Sequence, residues 1–213
     1  MLEFTASKRR KERMYNNTKR ELQFLFRTLN ENVFYNQFLT PQIYISVNTR
    51  CKNWSCNPFG NKGQYMITVH EEKLEDDFET IVMNMLHQMI HIFCFEHGLK
   101  DTSRNMRYHN KIFYQEGMKR GLLFSFEPTK GYITKGIGEE IKILFQKELQ
   151  QEERVKEAVK KDRVLRRTEE KNKPIRPFPV KMKCPVCGMK ARAKKTGSLI
   201  CGKCNVYMYP DNI

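Results

Sequence analysis

Four cysteines near the C-terminal end constrain this chain more than any other feature of its sequence. Cys184 and Cys187 form one C-x2-C pair, Cys201 and Cys204 form a second, and thirteen residues separate the pairs. Each pair presents two thiolates from a tight turn, and the intervening length suits a short β-hairpin, so the pattern predicts a structural four-cysteine zinc site. Because residues 181–213 are too few to bury a core, the metal has to supply most of their folding free energy.

Cysteine usage and hydropathy also indicate the compartment. The chain has seven cysteines, an odd number, which favours metal ligands over a disulfide framework. No apolar run reaches the roughly 20 residues that cross a bilayer. The basic N-terminus has no apolar segment behind it, so it does not resemble a secretory signal. We therefore expect a cytoplasmic protein with no membrane partner.

The charge of the chain predicts a polyanionic partner. The formal net charge is +15, which favours nucleic acid first and an acidic membrane surface second. From Lys171 to Pro210 there are ten Lys or Arg residues and no Asp or Glu, and Tyr207 and Tyr209 lie in the same segment. This pattern is typical of a ribbon that faces nucleic acid, DNA first, although a ribbon that only supports a neighbouring domain is the alternative. The candidate contacts are Lys183, Lys190, Arg192, Lys194, Lys195 and Lys203.

A second candidate metal site lies on a helix predicted for residues 74–97. From Thr80 to Phe95 no side chain is formally charged, which is typical of a core helix. His87 and His91 are one helical turn apart, so both imidazoles project from one face and can share a metal ion. The alternative is that each histidine bonds a backbone carbonyl within the core, since an unpaired buried polar group is costly.

The third ligand of such a site has two candidates. His97 has the spacing of the H-E-x-x-H-x-x-G-x-x-H class, but Cys94 occupies the position of the glycine that turns the chain back to the metal. Without that turn the helix continues, and His97 points roughly 240° away from His91. His109, beyond the helix in "RYHNKIF", is therefore the preferred third ligand.

The remaining patterns predict an α+β chain with three parts. Residues 7–30 have the periodicity of an amphipathic helix, and "QIYISVNTR" and "QYMITVH" alternate like two strands, which we expect to pair as a hairpin. Residues 139–172 are charge-dense and helical, and "NKPIRPFPV" ends that helix because proline cannot continue it. The predicted division is a first domain at 1–136, a charged helical linker at 137–180 and the ribbon at 181–213.

Taken together, these motifs resemble the SprT-like zinc metallopeptidases, especially the short forms of bacteria and their phages. The resemblance rests on "LHQMIH", "HGLKDTSRNMRYHNKIF" and the "CPVCG…CGKC" ribbon, and it covers most of residues 15–125 and 181–209. It implies a small zincin-type domain with catalytic zinc on His87, His91 and His109, and hence two zinc ions per chain.

The same resemblance implies a partner and a compartment. The eukaryotic relatives, the Spartan proteases, degrade proteins crosslinked to DNA and require DNA for activity. The implied substrates are therefore proteins associated with nucleic acid, in the cytoplasm of a bacterial cell or of a phage-infected host.

Gln88 departs from the family pattern, which has glutamate at this position. Hydrolysis needs a base that accepts a proton and passes it to the leaving amine, and a carboxamide cannot do so near pH 7. The chain as written is therefore expected to be inactive or weak. The other readings are a non-catalytic DNA-binding zinc protein and a pseudoprotease that holds a peptide without cutting it. Glu96 and Glu116 are the nearest other carboxylates in the motif region.

Overall fold

The computed structural model describes residues 15–47, 53–58, 63–104, 107–146, 149–171, 180–193 and 198–211. The chain divides into two compact units, Met1–Arg167 and Thr168–Ile213. The first part of the predicted helix at 7–30 lies outside the described residues, and so do the candidate contacts Lys194 and Lys195.

The first unit combines helices with two small sheets, which confirms the predicted α+β class. The helices are α1 (Asn16–Val33), α2 (Phe78–Glu96), α3 (Lys111–Met118), α4 (Glu139–Gln146) and α5 (Leu149–Lys171), with a 3-10 helix at Glu71–Leu74. The strands are β1 (Gln42–Ser46), β2 (Ser55–Pro58), β3 (Tyr65–His70), β4 (Thr102–Ser103), β5 (Tyr108–His109), β6 (Leu122–Glu127) and β7 (Gly131–Ile137). None of the helices among these residues combines the length and apolar character needed to cross a membrane.

The first sheet corrects the predicted hairpin. Its strand order is β1-β3-β2, with β1 parallel to β3 and β2 antiparallel to it. The two predicted strands thus pair, but in parallel, because the turn-rich segment between them contributes a strand of its own. The apolar alternation of β1 and β3 is compatible with either direction, and the register places Ile43 beside Ile67 and Ile45 beside Val69 in the core.

Helix α2 forms the centre of the first unit and ends at both sides with well-defined caps. The side chain of Asp77 accepts a hydrogen bond from the backbone of Thr80 at 2.8 Å, which starts the helix. At the other end, Gly98 has φ +64°, and Leu99 N–H donates to the carbonyl of Cys94 at 2.7 Å. This is the Schellman arrangement, which requires a left-handed residue and explains the glycine. His97 is the C-cap of the helix.

The second sheet brings the region after α2 back against that helix. Its order is β4-β5-β7-β6, and β5 runs parallel to β7 with His109 beside Gly131. The side chain of Asn110 accepts hydrogen bonds from the backbone of Ile112 and Phe113, so α3 starts directly after β5. Helix α2 packs on both β7 and α3, which places His109 next to the buried face of α2.

Helix α5 is less solvated than its sequence suggested. Val155 and Val159 belong to the core of the first unit. Asp162 is buried, and its carboxylate accepts hydrogen bonds at 2.8 Å from the backbone and hydroxyl of Thr18 and from the amide of Asn17. A carboxylate at the start of α1 satisfies backbone donors that the helix leaves unpaired. The domain boundaries predicted at 136 and 180 stay predictions.

The second unit is a small three-stranded sheet with the order β10-β8-β9. Its strands are β8 (Val180–Lys183), β9 (Lys190–Ala193) and β10 (Tyr209–Pro210). Among the described residues of this unit, the buried members of its core are Met182, Cys184, Cys201 and Met208. So small an apolar core cannot offset the entropy that is lost when the chain is ordered. The unit therefore needs another source of stability.

Candidate metal centres

The first candidate centre consists of three imidazoles from two elements. His87 and His91 project from α2, and His109 faces them from β5. The Nε2 atom of His91 lies 3.1 Å from Nε2 of His87 and 3.3 Å from Nε2 of His109. We call these three residues the histidine centre. The structure therefore brings together three predicted ligands that span residues 87 to 109 of the sequence.

The spacing of the three nitrogens fits a metal ion. In a tetrahedral site with zinc–nitrogen bonds of about 2.0–2.1 Å, ligand nitrogens are about 3.3–3.4 Å apart. The three nitrogens can therefore bind one ion from one side and leave a coordination position open. Three neutral histidine ligands with a free position are the donor set of a catalytic rather than a closed structural site.

Two further side chains orient the histidines through their other ring nitrogen. Nδ1 of His91 lies 2.5 Å from a carboxylate oxygen of Asp101, and Nδ1 of His87 lies 2.8 Å from the hydroxyl of Thr134. If Nδ1 donates in both pairs, the proton is held there and the lone pair of Nε2 is directed at the centre. Asp101 lies within the motif "LKDTSR", but sequence reasoning assigned no role to it. Thr134 had no sequence signal, because only strand register places it beside His87.

An aromatic ring forms one wall of the histidine centre. Phe113, on α3, is fully buried and stacks on His91 and His109 with ring centroids 4.7 and 4.3 Å apart. Burial lowers the pKa of His109 to about 4 and holds the pKa of His87 well below its usual value, with the neighbouring histidines adding to both effects. Both imidazoles therefore stay neutral at pH 7, which is the form that binds a metal.

Gln88 follows the first histidine on the buried side of α2 and is only 5% exposed. Its backbone carbonyl accepts a 3.7 Å contact from the thiol of Cys56 on β2, so this residue lies where α2 meets the edge strand of the first sheet. The two other carboxylates of the motif region are each bound to another side chain. Glu96 accepts a hydrogen bond from the hydroxyl of Tyr65, and Glu116 pairs with Arg120 at 2.6 Å.

His97 does not join the histidine centre. Its Nδ1 lies 2.9 Å from the carbonyl of Phe93, and its ring stacks on Phe93 with centroids 4.0 Å apart. The ring is thus fixed along the axis of α2, in agreement with the helical geometry that the sequence predicted for it.

The second candidate centre consists of four cysteines in the second unit. The sulfur atoms of Cys184, Cys187, Cys201 and Cys204 all lie within 4.8 Å of one another, and those of Cys187 and Cys201 are 3.6 Å apart. Zinc–sulfur bonds of about 2.3 Å in a tetrahedral site separate the sulfurs by about 3.8 Å, so these residues also fit a metal ion. We call them the cysteine centre.

The two cysteine pairs lie in turns with the same hydrogen bonds. Gly188 N–H donates to the carbonyl of Cys184 at 3.1 Å, and Asn205 N–H donates to that of Cys201 at 2.8 Å. Both donors have a left-handed backbone, with φ of +72° and +52°. Glycine and asparagine tolerate this conformation better than other residues, which accounts for their presence after the second cysteine of each pair.

The backbone of the first turn also favours a thiolate. Hydrogen bonds from the backbone of Cys187 and Val186 lower the pKa of Cys184 to about 6, whereas the side chains of Cys187 and Cys184 raise the pKa of Cys204 to about 12. Without a cation the sulfurs therefore share protons, because several adjacent thiolates repel one another. A bound divalent cation removes that repulsion and accepts all four sulfurs as thiolates.

The described candidate contacts for nucleic acid are not equivalent. Arg192 and Lys203 are exposed and Lys183 is half-buried, whereas Lys190 pairs with Asp211 at 3.0 Å. Tyr207 is 68% exposed on the same unit. The positive charges and this aromatic ring are thus accessible, but Lys190 already has an acidic partner.

Comparison with known proteins identifies no family for this chain. It matches no model of a known protein family, and it matches no curated protein. The fold is α+β, and the described part of the chain has two groups of residues that could each hold a metal ion.

Proposed function

We propose that the chain is a SprT-like zinc metallopeptidase that acts on proteins associated with nucleic acid, and that Gln88 makes it inactive or weak. The observation that carries the proposal is the convergence of three Nε2 atoms at 3.1 and 3.3 Å, with Nδ1 of His91 and His87 held by Asp101 and Thr134. Neutral, oriented imidazoles with an open position suit hydrolytic zinc, which supplies a Lewis acid for a peptide carbonyl and lowers the pKa of water.

The residues of the chain have separate tasks in this proposal. His87, His91 and His109 hold the ion. Asp101 keeps the Nδ1 proton of His91 in place, and Thr134 does the same for His87. The ring of Phe113 stacks on His91 and His109 and excludes water from that side of the centre. The position after His87 is where a carboxylate would accept the proton from water and deliver it to the leaving amine.

Gln88 can perform only part of that task. Its amide oxygen accepts a hydrogen bond and its amide nitrogen donates one, so the side chain can orient water or a carbonyl. It cannot hold a proton in transit near neutral pH. The loss of a general base typically reduces the rate by roughly 10² to 10⁴-fold, so binding is expected to survive while turnover is slow.

The test is to restore the base in the full chain. We expect Gln88→Glu to increase cleavage of casein, or of the chain itself, by about 10² to 10⁴-fold over the unaltered chain, assayed with and without DNA. The matched controls are Gln88→Asn, which changes the side chain without adding a base, and His91→Ala in the Gln88→Glu background, which should abolish the gain. Equal rates for Gln88→Glu and Gln88→Asn under both conditions would contradict the peptidase proposal.

The second unit is the proposed nucleic-acid contact. Exposed Arg192 and Lys203, the ring of Tyr207 and the absence of acidic residues between Lys171 and Pro210 support this role. Binding to a DNA oligonucleotide should weaken as salt rises, and Arg192→Gln should reduce the slope of log K against log salt by about 1. Lys190→Gln serves as a comparison, since Asp211 already neutralises that lysine. Affinity that does not change with salt would contradict phosphate contact.

A further inference from the structure

One strand, β7, contacts two of the three histidines from two different elements. Gly131, at its start, lies beside His109 on β5, and Thr134, three residues later, reaches His87 on α2. The geometry of the histidine centre therefore depends on a strand that contains none of its ligands.

The contact at Gly131 leaves no room for a side chain. A Cβ atom at this position would lie 2.0 Å from the backbone oxygen of His109 and 3.0 Å from the ring of Tyr108. The φ of Gly131 is +79°, a conformation that other residues rarely adopt. The neighbouring Lys130 carbonyl accepts the N–H of His109 at 3.1 Å, so β5 is hydrogen-bonded to this turn. Any larger residue at 131 has to push the backbone of His109 away.

The contact at Thr134 fixes a ring rather than a backbone. Its hydroxyl lies 2.8 Å from Nδ1 of His87, which is half-buried. Thr134 pairs with Phe124 across the β6–β7 hairpin, just after a shift in register between Leu123 and Phe124. An irregularity of this kind re-aims neighbouring side chains, and the hydroxyl of Thr134 points at His87 on α2. A side chain without an oxygen here would leave the Nδ1 proton of His87 without this acceptor.

We propose that Gly131 and Thr134 are positioning residues for the histidine centre, so that β7 sets the metal affinity of a site to which it gives no ligand. Gly131 sets the distance of His109 from the other two histidines by letting β5 lie directly against β7. Thr134 sets the tautomer and orientation of His87. The inference rests on metal binding at the histidine centre, which the proposed function also needs, but it does not depend on catalysis.

A pair of glycines on the same strand tests the first part. Gly131→Ala in the full chain should lose the metal of the histidine centre and keep that of the cysteine centre, giving one zinc per chain. Gly136→Ala is the matched control, because a Cβ atom there would approach no atom closer than 3.9 Å. It should keep both ions. Two zinc ions of unchanged affinity in Gly131→Ala would overturn the role of this glycine.

A pair of substitutions at Thr134 tests the second part and does not alter the backbone. Thr134→Val should weaken zinc binding at the histidine centre by about 10- to 100-fold in a chelator competition. Thr134→Ser keeps a hydroxyl and should bind zinc as tightly as the unaltered chain. The d–d absorption bands of bound cobalt should change in the valine variant and not in the serine variant. If Thr134→Val and Thr134→Ser have the same zinc affinity and the same cobalt spectra, whether unchanged or altered to the same extent, the role of the hydroxyl is overturned.

The unaltered chain separates this inference from the proposed function. If it binds zinc only at the cysteine centre, the histidine centre is not a zinc site, and both proposals fail. If it binds two ions and the variants at 131 and 134 bind them equally well, only the positioning role fails. If Gln88→Glu is inactive but Thr134→Val loses affinity, the positioning role stands and the peptidase proposal fails.

Discussion

The histidine centre and the cysteine centre differ in where their ligands come from. His87, His91 and His109 come from a buried helix and a strand, and Asp101 and Thr134 support them from two further segments. The four cysteines instead come from two equivalent turns of a unit whose described part has four buried core residues. In the first unit the folded core holds the ligands in place. In the second unit the core is so small that we expect metal binding to stabilise the fold.

This difference also separates what each centre can do chemically. Four sulfurs fill a tetrahedral coordination sphere, so an ion in the cysteine centre has no position for a substrate. Three nitrogens leave one position open, and the environment of the histidine centre keeps the pKa of His87 and His109 below their usual value. We therefore expect metal removal to unfold the second unit and only to destabilise the first.

The largest expected effect is the response of the cysteine centre to metal removal. Structural zinc contributes about 10–16 kcal/mol to the folding of comparable small domains, so a strong chelator should unfold residues 180–211. Hydrogen exchange measured by mass spectrometry on the full chain would show loss of protection in β8 and β9. Cys201→Ser should give the same result without chelator. Protection of these strands that persists in both experiments would contradict the comparison.

The first unit should lose much less. An ion present at 100 to 1,000 times its dissociation constant stabilises a folded domain by about 3 to 4 kcal/mol, and the core of this unit is independent of it. Chelator should therefore lower the melting temperature of the first unit while α2 stays protected from exchange. Complete loss of protection in α2 would mean that this unit, too, depends on metal for its fold.

A smaller effect is expected at the contact between α5 and α1. Asp162→Ala removes the carboxylate that accepts hydrogen bonds from Thr18 and Asn17, and hydrogen bonds to a charged group contribute about 1.5–3 kcal/mol. Chemical denaturation should show a loss of that order in the first unit. Lys161→Ala, next to it, breaks an exposed ion pair with Glu157 and should cost about 0.5 kcal/mol. Equal losses in the two variants would show that the buried carboxylate is not a major support.

A further effect is the pH dependence of the metal-free first unit. The pKa of His109 is about 4 in the folded chain and about 6.5 in an unfolded chain, so the folded state binds fewer protons between these values. Stability should therefore be full above about pH 6.5 and fall as the pH drops toward 4. Titration of the His109 ring followed by nuclear magnetic resonance tests this directly. A midpoint near 6.5 would contradict the burial of the imidazole.

Local spacing made part of this molecule predictable from sequence. The cysteine pairs and the i, i+4 histidines are ligand patterns within a single turn or helix, so their proximity follows from local geometry. His109 was preferred over His97 because a straight helix carries His97 away from the centre, and the structure places the two residues accordingly.

The parts that escaped prediction depend on pairing between distant segments. The alternation of β1 and β3 does not specify direction, so the hairpin prediction was wrong and the pairing is parallel. Thr134 reaches His87 only because of the register of β7, and Asp162 finds the start of α1 across 144 residues. Asp101 was within the quoted motif, but its task depends on the return of the chain after α2.

Counting metal ions is the most direct test of the proposed central claim, that each of the two centres binds a zinc ion independently of the other. We expect elemental mass spectrometry to find two zinc ions per chain in the unaltered protein. We expect one zinc ion in His91→Ala and one in Cys201→Ser. X-ray absorption should show sulfur ligands around the ion in His91→Ala and nitrogen ligands from the protein in Cys201→Ser. One ion in the unaltered chain, or two in His91→Ala, would contradict the claim.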